Sequence, residues 1–182
     1  MEKDKILCAK CPLLASSDFY GPGNNSATAK LTIISEYPLS SSLTEFRDVE
    51  ILDPLFDKAG VSWDEVYMPY AIKCKITTKA FSKAVLLCKE TYLDKELEEY
   101  KGEKIVAMGG LTTHSLFRRA RALRGSKNNP SLIGHPQRVV PGKLVLFTWS
   151  IEDYFKSGGN KQIILDIKRA VLWGLEDTKW ET

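Results

Sequence analysis

Four cysteines are the residues whose chemistry stands out first. Cys8 and Cys11 form a Cys-x-x-Cys pair, and Cys74 and Cys88 lie 14 positions apart. Structural zinc usually takes a second close pair of ligands, whereas an iron–sulfur cluster accepts widely separated thiolates. The spacing therefore favours the cluster and leaves zinc as the alternative. It also leaves open an ordinary core cysteine at position 88 within an apolar helical stripe, with the first pair at a frayed terminus.

A long stretch without carboxylates is the second feature. Residues 104–151 contain no Asp or Glu and eight basic residues, so the other 134 residues sum to −5 because the whole chain carries +3. The basic residues are Lys104, Arg118, Arg119, Arg121, Arg124, Lys127, Arg138 and Lys143. Such a surface suits a polyanion, since each neutralised phosphate releases condensed counterions. A solvated basic helix is the alternative.

The spacing of apolar residues predicts the elements that position these groups. Short apolar runs predict strands at 31–34, 66–72, 104–108 and 143–148, the last preceded by a hairpin arm at 138–140. Helical spacing predicts helices at 49–59, 79–100, 111–122 and 161–175. This alternation predicts a single three-layer α/β domain over 1–182, with a mostly parallel four-stranded sheet and a site at the carboxyl ends of its strands. Residues 1–30 are predicted to be an irregular leader that is tied down only if its cysteines are bound.

Length and composition agree with one domain. A chain of 182 residues with 43% apolar residues can bury a continuous core. No stretch approaches the roughly 18 consecutive apolar residues of a membrane helix, and the first residues lack the apolar core of a secretory signal. We therefore expect a cytoplasmic protein without a membrane partner, in which metal or redox chemistry is favoured over disulfides.

Taken in chain order, these motifs resemble the iron–sulfur uracil-DNA glycosylases, a branch of the uracil-DNA glycosylase superfamily. The resemblance covers nearly the whole chain and rests on three segments: Cys8 to Leu13; Ile34 to Leu39, where the family has Val-Gly-Glu-Ala-Pro-Gly; and Tyr70 to Cys74, where it has Asn-Val-Val-Lys-Cys. It implies a uracil-DNA glycosylase-like fold, DNA as partner, and a [4Fe–4S] cluster held by Cys8, Cys11, Cys74 and Cys88. Replication or repair proteins are further expected partners.

The resemblance also implies roles for residues of a base-excision site. Glu36 corresponds to the carboxylate near the sugar and Phe46 to the residue that stacks on uracil, while Tyr37 and Tyr70 would line the base pocket. The predicted DNA contacts are Arg118, Arg119, Arg121, Arg124 and Lys127, which come from the basic window, and Tyr154, Phe155 and Lys156, which come from the resemblance. The last three fall where the family has an apolar pair and a base that wedge into the DNA groove. A structural loop before the last helix is the alternative.

Two substitutions depart from the family pattern. Tyr70 replaces the Asn whose amide reads uracil, and one hydroxyl cannot make the same paired contact. Ser150 replaces the His that stabilises the charge on the departing base. We therefore expect a DNA-binding protein in which base excision is lost or altered. The alternatives are an active glycosylase that hydrolyses the N-glycosidic bond of uracil or another modified base, and a partner-binding module of a replication complex.

Overall fold

The computed structural model of the chain describes residues 11, 29–38, 46–74, 81–117 and 131–176, without the side chains of 46–48 and 81–82. The strands are β1 (Leu31–Ile34), β2 (Val66–Tyr67), β3 (Lys104–Met108), β4 (Gln137–Val140) and β5 (Lys143–Thr148). The helices are α1 (Phe46–Ala59), α2 (Phe81–Cys88), α3 (Asp94–Glu99), α4 (Gly110–Phe117), α5 (Ile151–Lys156) and α6 (Lys161–Leu175). A π-helical turn, Lys89–Leu93, joins α2 to α3 without leaving the helical conformation.

Within the described residues, five strands form one mixed sheet in the order β2-β1-β3-β5-β4. The first four run parallel, and β4 pairs antiparallel with β5 at the edge. The expected four-stranded sheet was therefore wrong in strand number. The arm predicted at 138–140 joins the sheet as a fifth strand because the short Pro141-Gly142 turn leaves it beside β5.

Side-chain alternation along the strands builds two apolar layers, and β3 illustrates it. Val106 and Met108 face a core formed with α1, α5 and α6, whereas Ile105 and Ala107 face a second core formed with α3 and α4. Successive side chains of a strand point to opposite faces, so a fully buried central strand is apolar throughout. The described chain is therefore an α/β arrangement with helices on both faces of the sheet.

Several predicted elements differ from the structure, and the helix expected at 49–59 begins earlier, at Phe46. The strand expected at 66–72 ends at Tyr67 and continues only as a single bridge between Ser35 and Tyr70, because Pro69 has no N–H to donate to a ladder. The helix expected at 79–100 contains the π-helical turn, and α5 occupies a segment that was expected to be a loop. No helix in the described ranges is long and apolar enough to cross a membrane.

Candidate functional site

The carboxyl ends of three parallel strands meet around Glu36. This residue follows β1 by two positions, Gly109 directly follows β3, and Ser150 follows β5 by two positions. Glu36 Oε1 accepts a hydrogen bond of 2.8 Å from the Leu111 backbone N–H in the first turn of α4. The carboxylate therefore binds one of the N–H groups that a helix leaves unpaired at its start.

Gly109 makes this contact possible in two ways. Its φ of 91° lies in the left-handed region that favours glycine. A Cβ atom at this position would lie only 2.5 Å from Glu36 Oε1. The Gly109-Gly110 sequence therefore turns the chain from strand to helix and leaves room for the carboxylate.

Opposing influences act on the Glu36 carboxyl. Burial is the largest and raises its pKa to about 7, assisted by the negative charges of Asp153 and Glu152. The Leu111 N–H and the Lys156 ammonium oppose the shift. A carboxyl with this pKa can accept or donate a proton near neutral pH, which general acid–base catalysis requires.

Glu152 connects the predicted pocket residue Tyr37 to Lys156. The Tyr37 hydroxyl donates to Glu152 Oε2 over 3.2 Å, and Lys156 Nζ lies 2.9 Å from Glu152 Oε1. Burial and the Glu152 charge raise the pKa of Tyr37 to about 12. Lys156, predicted to contact DNA, is thus paired with a carboxylate beside Glu36.

Ser150 caps α5. Its hydroxyl oxygen accepts from the Asp153 N–H over 3.0 Å, and its own N–H donates to Asp153 Oδ2 over 3.0 Å. This reciprocal arrangement is a capping box. The structure therefore gives Ser150 a positional role, and its catalytic role stays a prediction.

The other predicted contacts divide between described and undescribed residues. Tyr154 and Phe155 lie on α5 with ring centroids 5.2 Å apart and pack against the core on the α6 side of the sheet. Phe46 begins α1, but its side chain is not among those described. The predicted DNA contacts that lie outside the described residues are Arg118, Arg119, Arg121, Arg124 and Lys127.

Three of the four predicted metal ligands share one buried cluster. Cys11, Cys74 and Cys88 pack together with apolar side chains and are at most 9% exposed. None of the three forms a disulfide with another described cysteine. No three His, Cys, Asp or Glu side chains in the described ranges are arranged to hold one metal ion, and Cys8 lies outside those ranges. By type, buried sulfur donors suit zinc or an iron–sulfur cluster better than a cation that prefers oxygen ligands.

The cysteine cluster adjoins the Glu36 site. Leu111, whose N–H donates to Glu36, packs against the cysteine cluster. Tyr37, which follows Glu36 in the chain and donates to Glu152, packs against it too. The Ile72 N–H donates to the Glu36 carbonyl over 2.9 Å, which ties the segment leading to Cys74 to the end of β1. Two separately predicted sites are therefore neighbours at one end of the sheet.

A buried ion pair behind the cysteines was not anticipated. Lys73 has a fully buried side chain, and its Nζ lies 2.5 Å from Glu96 Oε2 and donates to the Tyr70 carbonyl over 2.9 Å. Burial lowers the pKa of Lys73, while Glu96 and Cys88 oppose the shift. No periodic pattern along the chain predicts this pair, because its partners are 23 positions apart.

A groove of about 700 Å³ lies between the Lys89–Glu98 stretch, the end of α4 and the turn joining β4 to β5. Lys143 of the basic window lines it, and none of the residues predicted for the base-excision or metal site does. No family model and no curated protein matches the chain. The candidate site is therefore defined by the contacts around Glu36 and the three described cysteines.

Proposed function

We propose that the chain is a DNA-binding protein with a fold like that of the iron–sulfur uracil-DNA glycosylases, in which uracil excision is lost or redirected. The observation that carries this proposal is the adjacency of the cysteine cluster and Glu36. The resemblance predicted both groups from separate motifs. Leu111 contacts both, since its N–H donates to Glu36 and its side chain packs against the cysteine cluster. In this proposal, a [4Fe–4S] cluster held by Cys8, Cys11, Cys74 and Cys88 is structural, with zinc as the alternative.

The side chains around Glu36 support a loss of uracil excision. Uracil leaves its sugar as an anion, and an enzyme accelerates that step by directing positive or hydrogen-donating groups at the developing charge. Here Glu152 and Asp153 place negative charge nearby, and the Ser150 hydroxyl is engaged in capping. Tyr70, which replaces the uracil-reading Asn, is only 6% exposed.

An active glycosylase for another base is the second candidate. It is favoured by the Glu36 pKa of about 7, because a carboxylate that is partly ionised near pH 7 can take the proton of an attacking water. A protein-binding module is the third class, and it needs neither Glu36 nor DNA.

A base-release assay separates these candidates. We would incubate the protein with single-stranded and duplex DNA carrying uracil, hypoxanthine, xanthine or hydroxymethyluracil, and compare it with Glu36→Gln. The glutamine oxygen can still accept the Leu111 N–H, so this variant removes the proton acceptor and keeps the cap. The main proposal expects DNA binding with little uracil release. Release of another base that Glu36→Gln abolishes would establish the second candidate, and absence of DNA binding at low salt would favour the third.

Metal analysis tests the cofactor directly. Protein purified without oxygen is expected to be brown and to contain close to four iron and four sulfide per chain. Cys74→Ala should lower both the iron content and the melting temperature, because metal binding stabilises the folded state. If the analysis finds one zinc and no sulfide per chain, the cysteines bind zinc and not an iron–sulfur cluster.

A further inference from the structure

We infer that Lys73, through its pair with Glu96, is a positioning residue that holds Cys74 against the helix carrying Cys88. The inference rests on the cysteine site of the proposed function and assigns it a supporting contact. Lys73 immediately precedes Cys74, and Glu96 lies one helical segment beyond Cys88. The pair therefore joins the two parts of the chain that supply these cysteines.

The geometry of the pair is restrictive. Lys73 Nζ contacts Glu96 Oε2 at 2.5 Å and the Tyr70 carbonyl at 2.9 Å, so its ammonium is fixed to both the helix and its own turn. Tyr67 in β2 also hydrogen-bonds the Glu96 side chain. Movement of Lys73 and Cys74 away from the helix would break the contact between Lys73 and Glu96, whose side chains are 0% and 10% exposed.

Stability alone is a weak explanation for the pair. Taking two charges out of water costs much of what their attraction returns, and a well-packed apolar pair in the same place is often as stable or more so. Hydrogen bonds to fixed partners do supply direction, however, and groups just behind metal ligands commonly orient those ligands. Orienting Cys74 would explain why charged side chains, Lys73 and Glu96, lie at a place that an apolar pair could fill equally well.

A second buried lysine provides a matched control. Lys89 pairs with Asp94, but both residues lie on the same helical stretch and do not bridge it to Cys74. Lys73→Met combined with Glu96→Leu removes the bridging pair without stranding a buried charge. Lys89→Met combined with Asp94→Leu removes a lysine–carboxylate pair that is more exposed, with Asp94 at 34%, and that does not touch the segment before Cys74.

Two measurements then test positioning separately from stability, in variants whose melting temperatures are also recorded. The first is titration of metal-free protein with Co²⁺, followed by thiolate–cobalt absorption. The bridging double variant should bind Co²⁺ roughly 10–100-fold more weakly than the wild type, as is usual for groups that orient ligands. The second is the iodoacetamide reaction rate of Cys74 in metal-free protein, mapped by mass spectrometry, which should rise in that variant and not in the Lys89–Asp94 control.

The outcomes distinguish this inference from the proposed function. If the wild type binds neither iron nor Co²⁺, the metal site of the proposed function fails, and the Cys74 reaction rate still decides the positioning role. If the wild type binds metal and the bridging variant matches it in Co²⁺ affinity and Cys74 reactivity, the inference is wrong and the proposed function stands. Lys73→Met alone serves as a check, because it should lose stability by leaving Glu96 buried without its cation.

Discussion

Glu36 is the residue at which the local physics is most unusual. Its carboxyl is partly buried near two other carboxylates, Glu152 and Asp153, and it accepts a hydrogen bond from a helix N–H. Burial disfavours the ionised form and the N–H favours it, and burial prevails because it is the larger influence. The motif containing Glu36 could be recognised from the sequence. Its contact with Leu111 could not, because that contact depends on how β1 and β3 are paired.

The raised pKa of Glu36 predicts a specific pH dependence of stability. The folded protein holds this proton up to about pH 7, whereas an unfolded chain releases it near 4.5. This contribution to stability is therefore fully present below pH 4.5, is lost as the pH rises from 4.5 to 7, and has been lost completely above about pH 7, a change of about 3 kcal/mol in all. Urea unfolding at pH 5 and pH 8 should show a larger loss for the wild type than for Glu36→Gln. Equal pH dependence in the two proteins would contradict the raised pKa.

Tyr70 and Ser150 provide a second prediction at the residue scale. Tyr70→Asn and Ser150→His restore the residue types of the resembling family, and each should raise uracil release above that of the wild type. The double change should exceed either single one, because base reading and charge stabilisation act on the same flipped base. A correctly aligned hydrogen-bond donor at position 150 should raise the rate of uracil release by about 10²–10³-fold.

Because Ser150 caps α5, that experiment needs a control variant that loses the cap without gaining an imidazole. Ser150→His also removes the hydroxyl that accepts the Asp153 N–H, which costs about 1 kcal/mol of stability. Ser150→Ala loses the same cap without supplying an imidazole and should not gain uracil release. Robust uracil release by the unmodified protein, indifferent to Ser150→Ala, would show that position 150 does not correspond to the family's histidine.

Among the elements, the strands of the sheet centre were the most predictable. β1 and β3 have the predicted bounds because strands buried on both faces form short, nearly continuous apolar runs, here interrupted only by Thr32 and by Lys104 at the start of β3. The short helix α5 was missed, since six residues carry no clear period. Its usable signal was the Ser150-x-x-Asp153 spacing, which is typical of a capped helix start. The π-helical turn Lys89–Leu93 had no such signal.

Packing of α6 on the sheet leads to a prediction for Gly174. A Cβ at this position would lie 2.5 Å from Leu31 Cδ1 and 3.1 Å from Val106 Cγ2. Gly174→Ala should therefore destabilise the protein by about 1–3 kcal/mol through overpacking, although alanine favours a helix over glycine by about 1 kcal/mol. Urea unfolding of the wild type and of Gly174→Ala measures the difference in their free energies of unfolding.

Gly110 is the matched control for that substitution. It also lies in a helix, but a Cβ there would approach only Glu36 Oε1, at 4.0 Å. Gly110→Ala should leave stability unchanged or raise it slightly. If Gly174→Ala is equally harmless, the close approach of α6 to β1 and β3 is wrong.

For the whole molecule, the uneven distribution of charge is the feature that points towards a partner. Residues 104–151 carry eight basic residues and no carboxylate, whereas the described site around Glu36 is acidic because Glu152 and Asp153 follow immediately afterwards in the sequence. A DNA strand would be attracted by the first region and repelled by the second. The sequence predicts this separation along the chain. The fold brings Glu152 and Asp153 beside Glu36, which precedes Glu152 by 116 positions.

The resulting prediction is that DNA binding depends steeply on salt and on arginines of the 104–151 window. If Arg124 contacts a phosphate, Arg124→Ala should weaken binding to all DNA sequences alike and reduce the slope of log affinity against log salt by about one. Arg169→Ala is the matched control, since Arg169 is exposed on α6 and lies outside the window, so its removal should leave that slope unchanged. Fluorescence anisotropy of labelled single-stranded and duplex DNA, over a range of salt concentrations, measures the affinity and the salt slope of each variant. Equal effects of the two substitutions would mean that binding follows overall charge alone, because a protein that uses a defined basic surface must respond more strongly to the arginine within it.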